Sequence, residues 1–388
     1  MLKKRGRIQR GLIVFGSAGG SIAELASGLW RSDSNKALAH SAGRLPVLDG
    51  TSAHSGSDRR SIGAFHLFDL VNAAQDFLEL LACPACEGAL VADWSCPECG
   101  AHYEDPDGIP NLRVPGDTCT EVVRRFYECA PFPGYPPHDS VEWLRARAER
   151  SEFARLLDRA ISGNAHILDL GCGTGQMSLY LARADRIVIG ADLTRASLQL
   201  GAAAGKRYRL DRVQFIETDL HRPGLRKGSF DVVYSSGVLH HTSNPRASFA
   251  AVAKLARPGG MIVLGLYNAF ARIPFRLRGL IARLSGVVSD PVLRDRKNEP
   301  ARREAWMRDQ YQHPEEHRHT LAEVQGWFAE NGVEYVRAYP SALLGTDSEE
   351  LFERAADNWR AEGWLAQLGW IRTLGHEGGL FVTIGQRM

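Results

Sequence analysis

Four cysteines form the most specific chemical pattern in this chain. They lie in two pairs spaced C-x2-C-x9-C-x2-C, namely Cys83, Cys86, Cys96 and Cys99. Each pair offers two thiolates from one tight turn, and four thiolates complete a tetrahedral zinc site. A site filled entirely by protein ligands stabilises a fold and leaves no position for an activated water. The spacing therefore predicts a structural Zn²⁺ rather than a redox dithiol, since two matched pairs suit one ion.

A glycine-rich turn is the second pattern with chemical meaning. It reads Asp169-x-Gly171-x-Gly173-x-Gly175 and follows a short apolar run. Glycines allow a ligand to approach the backbone without a Cβ in the way, and a helix after the turn aims free N–H groups at that ligand. A dinucleotide site would need glycine where Gln176 stands, and the Gly-Lys-Ser/Thr ending of a P-loop is absent.

Strands and helices must alternate around this turn to position it. After the strand that leads into the turn, the pattern predicts strands at 186–192, 212–220, 230–235, 261–268, 333–339 and 380–386. Asp192 ends the second strand, 21 residues after Gly171, where an acid can accept hydrogen bonds from ribose hydroxyls. An aspartate at that point can also cap the following helix. The cofactor is expected at the carboxyl ends of the strands.

These landmarks, in this order, resemble the class I S-adenosylmethionine-dependent methyltransferases. The resemblance covers about residues 140–268 and is greatest to the branch of ubiquinone and menaquinone C-methyltransferases. It implies S-adenosylmethionine as cofactor and an adenine contact from Asp219, which ends the third strand. The implied cofactor residues are Asp169, Gly171, Cys172, Gly173, Gly175, Asp192, Leu193, Asp219, Leu220 and Ser236.

The predicted fold is α/β, a Rossmann-like, seven-stranded, mostly parallel sheet with helices on both faces, plus an N-terminal zinc ribbon and helical insertions. We expect a disordered extension at 1–62, the ribbon at 63–115, a linker at 116–139 and a methyltransferase domain at 140–388. The insertions are expected at 269–318 and 341–378. Within the chain we predict helices at 65–81 and 140–161, the latter burying Trp143 among other apolar residues.

The ribbon also resembles known proteins. The stretch 77–114, with its closing Asp-Gly-Ile-Pro-Asn-Leu, is similar to the small zinc-ribbon proteins that bind and activate methyltransferases, and to the ribbon of some ribosomal RNA guanine methyltransferases. Such a ribbon can bind RNA or support a neighbouring domain. Support is favoured here because the segment lacks a basic face with interleaved aromatic residues.

Candidate catalytic residues follow the fourth and fifth strands. His240 and His241 lie where substrate should meet cofactor, and a neutral imidazole there can remove a phenol or enol proton. Either histidine can instead pack or cap the next helix. Tyr267, at the end of the fifth strand, is a weaker candidate. The Asn/Asp-Pro-Pro-Tyr tetrapeptide of enzymes that methylate amino groups of bases is absent, which disfavours methylation of nucleic-acid amino groups.

The first hypothesis is therefore methyl transfer to oxygen or carbon of a small acceptor of aromatic or quinone-like chemistry. The alternative is an RNA methyltransferase whose ribbon grips ribosomal or transfer RNA, and a third is a non-catalytic partner protein with this fold. A net charge of +2 over 388 residues does not demand a nucleic-acid partner. The cysteine usage favours a reducing, cytoplasmic compartment, and no apolar run approaches the roughly 20 residues of a membrane span.

Two stretches after residue 268 carry open alternatives. Leu277, Leu280, Ile281 and Leu284 share one face of a predicted helix flanked by arginines. We expect that face to pack on the core, the alternative being contact with a membrane or a lipidic substrate. The histidines at 313, 317 and 319 are expected in an exposed loop or a pocket wall rather than at a second metal site.

Overall fold

The structure is a computed structural model that describes residues 75–183, 185–286, 288–342, 350–355, 360–374 and 378–388. The predicted extension at 1–62 lies outside the described residues, as does most of the helix predicted at 65–81. Within the described range, residues 75–80 of that helix are helical.

Seven strands form one sheet, in the order β3-β2-β1-β4-β5-β7-β6. The strands are β1 His166–Leu170, β2 Ile187–Asp192, β3 Val213–Glu217, β4 Phe230–Ser236, β5 Ala256–Tyr267, β6 Val333–Tyr339 and β7 Leu380–Arg387. β1 to β5 pair in parallel, while β7 runs antiparallel between β5 and β6. The predicted fold class, a mostly parallel seven-stranded sheet, is confirmed.

Helices cover both faces of this sheet because its strands are apolar on both sides. In β1, Leu168 and Leu170 enter one buried cluster, which includes Phe249 and Phe328 from helices after β4 and before β6. Ile167, the residue before Leu168, enters a second cluster with helices before and after β1. The helices are α1 Thr118–Glu128, α2 Val141–Ala148, α3 Glu152–Ala160, α4 Gln176–Leu181, α5 Arg195–Tyr208, α6 Pro245–Ala253, α7 Ile273–Ser285, α8 Pro291–Asp295, α9 Pro300–Tyr311, α10 Leu321–Glu330 and α11 Arg360–Thr373.

The helix predicted at 140–161 is two helices in the structure. The hydroxyl of Ser151 accepts a hydrogen bond from the Ala154 N–H and begins α3, so the chain changes direction between Ala148 and Glu152. Trp143, predicted to be buried, is 57% exposed, whereas Leu144 beside it is fully buried. The prediction of one helix failed because the apolar pattern was followed through Ser151, which caps the start of a second helix.

The predicted linker contains an ordered helix. Asp117 caps α1 through the N–H of Thr120, and α1 buries Tyr127 near its end. Sequence reasoning missed α1 because its mixed charged and polar residues do not give a clear core pattern.

The cysteine-containing ribbon packs directly on the edge of the sheet. Leu112 N–H donates to the Glu217 carbonyl of β3, and Glu217 N–H donates to Pro110, each at 2.9 Å. At its other end, Ala82 N–H donates to Gly224 at 2.9 Å. The ribbon residues Leu81 and Leu112 are fully buried in the same cluster as β1. Backbone pairing and a shared core therefore bind the ribbon to the β3 edge.

Residues 269–318, where a helical insertion was predicted, contain α7, α8 and α9. In α7 the expectation about packing was wrong: Leu277, Leu280 and Ile281 are 56–57% exposed and Leu284 is 82% exposed. The buried side of α7 is instead marked by Phe275. Among the described helices, none has the length and apolar character needed to cross a membrane.

Candidate functional site

The glycine turn joins β1 to α4 in a left-handed backbone conformation. Gly171, Gly173 and Gly175 have φ of 75°, 55° and 78°, values that residues with a Cβ rarely adopt. A Cβ on Gly171 would lie 2.2 Å from Val238, and one on Gly175 would lie 2.4 Å from Phe215. Two of the three glycines are therefore required by backbone conformation and by protein packing, whereas the sequence argument had assigned them to ligand approach.

Asp169, near the end of β1, links this turn to the helix that follows it. Its carboxylate is buried and accepts a hydrogen bond of 2.6 Å from the Ser178 hydroxyl on α4. Burial raises the pKa of Asp169 to about 7, although the hydrogen bond from Ser178 by itself would lower that pKa. The contact fixes the start of α4 to β1, so Asp169 acts in the structure as a positioning residue.

A cavity opens at the carboxyl ends of β1 to β4, the edge at which a cofactor was expected. It is an open cleft with about 650 Å³ of empty space, a figure that includes solvent at its mouth. Five of the predicted cofactor residues line it: Gly171, Asp192, Leu193, Asp219 and Leu220. The other five do not: Asp169, Cys172, Gly173, Gly175 and Ser236. Sequence reasoning missed several lining residues: Thr120, Val123, Tyr127, His221, Val238 and Thr242.

Asp192 connects the end of β2 to the glycine turn. One carboxylate oxygen accepts from the Gly173 N–H at 2.8 Å, and the other accepts from the Thr194 N–H at 2.9 Å and the Thr194 hydroxyl at 2.6 Å. Burial raises the pKa of Asp192, while these hydrogen bonds lower it. Because the residue lines the cavity, its carboxylate can accept further hydrogen bonds from a bound molecule.

Asp219 lies on the neighbouring wall and is paired with His221. One Asp219 oxygen accepts from the His221 N–H and contacts its Nδ1, both at 2.9 Å. The contact with Asp219 raises the pKa of His221, whereas the partial burial of the ring lowers it by a smaller amount. The Asp-x-His spacing was visible in the sequence, but nothing there indicated that the imidazole reaches back to the carboxylate.

The two adjacent histidines occupy different environments. His241 lines the cavity, and its Nδ1 lies 2.7 Å from the Glu315 carbonyl. A carbonyl can only accept, so Nδ1 carries the proton and Nε2 has a free lone pair. Burial and the nearby His313 lower the pKa of His241 well below its ordinary value, which keeps the ring neutral. His240 is fully buried and does not line the cavity, and neither of its ring nitrogens has a hydrogen-bond partner among the residues that the structure describes.

Tyr267 belongs to a buried polar cluster behind the cavity. Its hydroxyl donates to Asp309 at 3.2 Å and accepts from the Gln310 amide at 3.0 Å. The second Asp309 oxygen accepts from Tyr127, a cavity-lining residue, at 3.3 Å. Burial raises the pKa of Asp309 to about 6. Asp309 and Tyr127 come from α9 and α1, which sequence reasoning had treated as an insertion and a linker.

The loop after α9 closes over the histidines. The rings of His313 and His241 stack with centroids 3.6 Å apart, and the His317 N–H donates to the His240 carbonyl at 2.8 Å. Burial lowers the pKa of His313 to about 4. Within the described chain, the only group of three or more His, Cys, Asp or Glu residues arranged to hold a metal is formed by the four cysteines.

The four cysteine sulfurs converge as the spacing predicted. All lie within 4.8 Å of one another, with Cys83 and Cys99 at 3.7 Å and Cys86 and Cys96 at 3.5 Å. Four sulfurs at 2.3 Å from one zinc ion would be separated by about 3.8 Å, so this donor set fits the ion. The Tyr103 hydroxyl lies 3.0 Å from the Cys83 sulfur, within reach to donate a hydrogen bond to a thiolate that binds the ion.

Residues 168–264 match the family described as "Methyltransferase domain". An uncharacterized protein of Synechococcus sp. is 27% identical over 281 residues, covering 61% of this chain and 66% of that protein. Ubiquinone biosynthesis O-methyltransferase of Bordetella avium is 30% identical over 168 residues, covering 41% and 64% respectively. The chain therefore matches just under two thirds of the length of each of these two relatives.

Among solved structures, the complex of the Haloferax volcanii Trm112 methyltransferase activator with a putative methyltransferase aligns with a TM-score of 0.40. The alignment has 18% identity and covers 63% of this chain and 92% of that one.

Proposed function

We propose that the methyltransferase domain carried by this chain transfers a methyl group from S-adenosylmethionine to oxygen or carbon of a small acceptor. The observation that carries the proposal is the cavity at the carboxyl ends of β1 to β4. It brings two acids, the first glycine of the turn and a neutral histidine to one space. We assign the acids and the glycine to cofactor binding and the histidine to removal of a proton from the acceptor.

The cofactor side of the cavity comprises Gly171, Asp192, Leu193, Asp219 and Leu220. Asp192 has lone pairs available for two vicinal ribose hydroxyls, while its bonds to Gly173 and Thr194 keep the carboxylate in place. Asp219 and Leu220 flank the space that an adenine would fill. When bound, S-adenosylmethionine supplies an electrophilic methyl group on a sulfonium.

The acceptor side is proposed around His241. Its Nε2 lone pair can take a proton from a phenol or enol as the acceptor oxygen or carbon becomes nucleophilic. The pKa of His241 is lowered, so the base is unprotonated at neutral pH. The Glu315 carbonyl fixes the tautomer that this role requires. Much of the remaining rate enhancement must come from positioning and from exclusion of water.

The chemistry of the surrounding wall favours an aromatic or quinone-like acceptor. The Tyr127 and His241 side chains line the cavity, and Val238 contributes an apolar contact. A planar ring that carries a hydroxyl could stack on the aromatic side chains while its proton reaches His241. We propose Tyr267 as a support for this wall, since its hydroxyl is occupied by Asp309 and Gln310.

The cysteine cluster is proposed to hold one structural Zn²⁺, with Cys83, Cys86, Cys96 and Cys99 as ligands. The ribbon would then be a supporting domain for residues 140–388 rather than a nucleic-acid clamp. Its pairing with Glu217 of β3 supports this assignment, because that strand leads directly to Asp219 in the cavity. A stable ribbon would hold the adenine wall in place.

The proposal is tested by incubating the protein with methyl-labelled S-adenosylmethionine and a panel of hydroxylated aromatics and quinols, with total RNA as a parallel substrate. The expected result is label in an aromatic acceptor, lost with His241→Gln and retained with His102→Gln, which changes a histidine in the ribbon. Label only in RNA would overturn the small-molecule assignment. Failure to bind the cofactor at all would overturn the enzyme assignment.

A further inference from the structure

Helix α7 exposes a continuous apolar stripe. Ile273, Leu277, Leu280, Ile281 and Leu284 follow the spacing of a single helical face, and they are 37%, 56%, 56%, 57% and 82% exposed. Isolated exposed leucines need no explanation, but five on one face of a 13-residue helix do.

The opposite side of α7 holds the helix in place. Phe275 is buried in a small cluster with Val292, Leu293 and Trp306. Arg278 packs on the Phe275 ring, 4.8 Å from its centroid, and lies 3.6 Å from Asp290. The exposed stripe is thus the outer face of an anchored helix rather than a consequence of loose packing.

Positive charge borders the apolar stripe. Arg276 and Arg283 are both exposed and lie on one flank of it, and α7 contains no acidic residue. Neither arginine has an ion-pair partner among the residues that the structure describes. Apolar side chains bordered by arginines are the composition of helices that lie in the plane of a membrane interface.

A second apolar patch adjoins the beginning of α7. On α11, Trp364, Leu365 and Leu368 are 47%, 54% and 47% exposed. The Trp364 ring contacts Phe270 with centroids 5.2 Å apart, three residues before α7 begins. Tryptophan is favoured at the polar–apolar boundary of lipid bilayers because its ring is apolar and its N–H needs a partner.

A groove beside α7 includes two residues that contact Tyr267, a proposed support of the acceptor wall. It is lined by Leu277 and Leu280 of the stripe and by Arg272 and Gln310. The Arg272 guanidinium lies 4.1 Å from the centre of the Tyr267 ring, and Gln310 donates to the Tyr267 hydroxyl. Arg272 and Gln310 therefore connect the groove beside the exposed helix with the polar cluster around Tyr267.

We propose that α7, with the patch on α11, binds the surface of an anionic lipid bilayer and presents the groove to lipophilic molecules held there. Charge complementarity selects this occupant: the arginines match anionic headgroups, whereas a second copy of the chain would bring the same cationic flank against itself. Surface binding stands independently of the proposed function. Its role in delivering an acceptor with an apolar tail rests on that function.

The test is co-sedimentation of the full chain with vesicles of phosphatidylcholine, with and without roughly one third phosphatidylglycerol. The wild type should bind the anionic vesicles more tightly. Each of Arg276→Ala and Arg283→Ala should lower partitioning about fivefold, because a basic residue near an anionic surface contributes about 1 kcal/mol. Leu280→Glu combined with Ile281→Glu should lower it at least about tenfold.

The control is Val91→Glu, which places one such negative charge on a 41%-exposed apolar residue of the ribbon and should leave binding unchanged. Cofactor calorimetry on each variant reports separately whether the methyltransferase site is intact. Equal binding to both vesicle types, or full binding by the Leu280/Ile281 variant, would overturn the proposal. So would the absence of vesicle binding together with dimers that the same variant dissociates, since the stripe would then be a contact between copies.

Discussion

Replacing Asp192 with alanine tests the proposed cofactor site most sharply. The substitution removes a carboxylate that lines the cavity and accepts three internal hydrogen bonds, from Gly173 and from both the N–H and hydroxyl of Thr194. Two consequences are expected. The proposed ribose contacts are lost, and the glycine turn loses its link to the end of β2.

The magnitudes follow from those contacts. Hydrogen bonds to a charged group contribute about 1.5–3 kcal/mol, and part of that is recovered by water in the cavity. We therefore expect cofactor binding to weaken by about 1–3 kcal/mol, or roughly 5- to 150-fold in Kd. Unpaired N–H groups at Gly173 and Thr194 should also lower the free energy of unfolding by about 1–3 kcal/mol.

Isothermal titration calorimetry with S-adenosylhomocysteine measures the first effect, at a temperature where thermal melting shows the variant to be folded. Asp211→Ala, which removes one exposed carboxylate close to β3, is the matched control and should bind like the wild type. An Asp192→Ala variant that binds within about twofold of the wild type would refute the assignment of this acid to the cofactor.

The other predictions concern catalysis, zinc and pH. His241→Gln should lower turnover about 10²- to 10⁴-fold with little change in cofactor Kd, by kinetics and calorimetry; full turnover would place the base elsewhere. Cys83→Ser should lose zinc by metal analysis, and undiminished zinc would refute the four-thiolate site. Burial raises the pKa of the native Asp169 carboxyl to about 7, so the wild type should lose stability as pH rises from about 4 to 7, whereas Asp169→Asn should not. Relative to the wild type, the variant should gain roughly 1–4 kcal/mol in free energy of unfolding over that range. A pH-independent difference in thermal melting would contradict this. Burial lowers the pKa of His313 to about 4, so the wild type should lose stability as pH falls from about 6.5 to 4, and His313→Gln should lose less.

The sheet could be predicted from sequence because its signals are local. Strands β1, β2 and β4 are mostly apolar runs, and β2 ends in Asp192, which lines the cavity. The four cysteines were equally predictable, since paired spacing defines the donor set and the structure brings the sulfurs within 4.8 Å of one another. In both cases a short stretch of sequence determines the geometry.

The proposed acceptor side could not be predicted from sequence, because it is assembled from distant segments. Tyr127 contacts Asp309 across 182 residues of sequence, and the Glu315 carbonyl orients His241 across 74. Neither pairing leaves a periodic or spacing signal. The apolar stripe of α7 was visible, but periodicity alone does not say which side of an amphipathic helix meets the core. The structure assigns the core side to Phe275.

Native mass spectrometry of the full chain, with and without S-adenosylmethionine, tests the central claim most directly. The proposed function predicts one zinc ion per chain and one cofactor, with cofactor occupancy lowered in Asp192→Ala and the zinc retained. Zinc without any cofactor, in the wild type at cofactor concentrations well above a typical Kd, would contradict it and leave a methyltransferase-like fold without the activity.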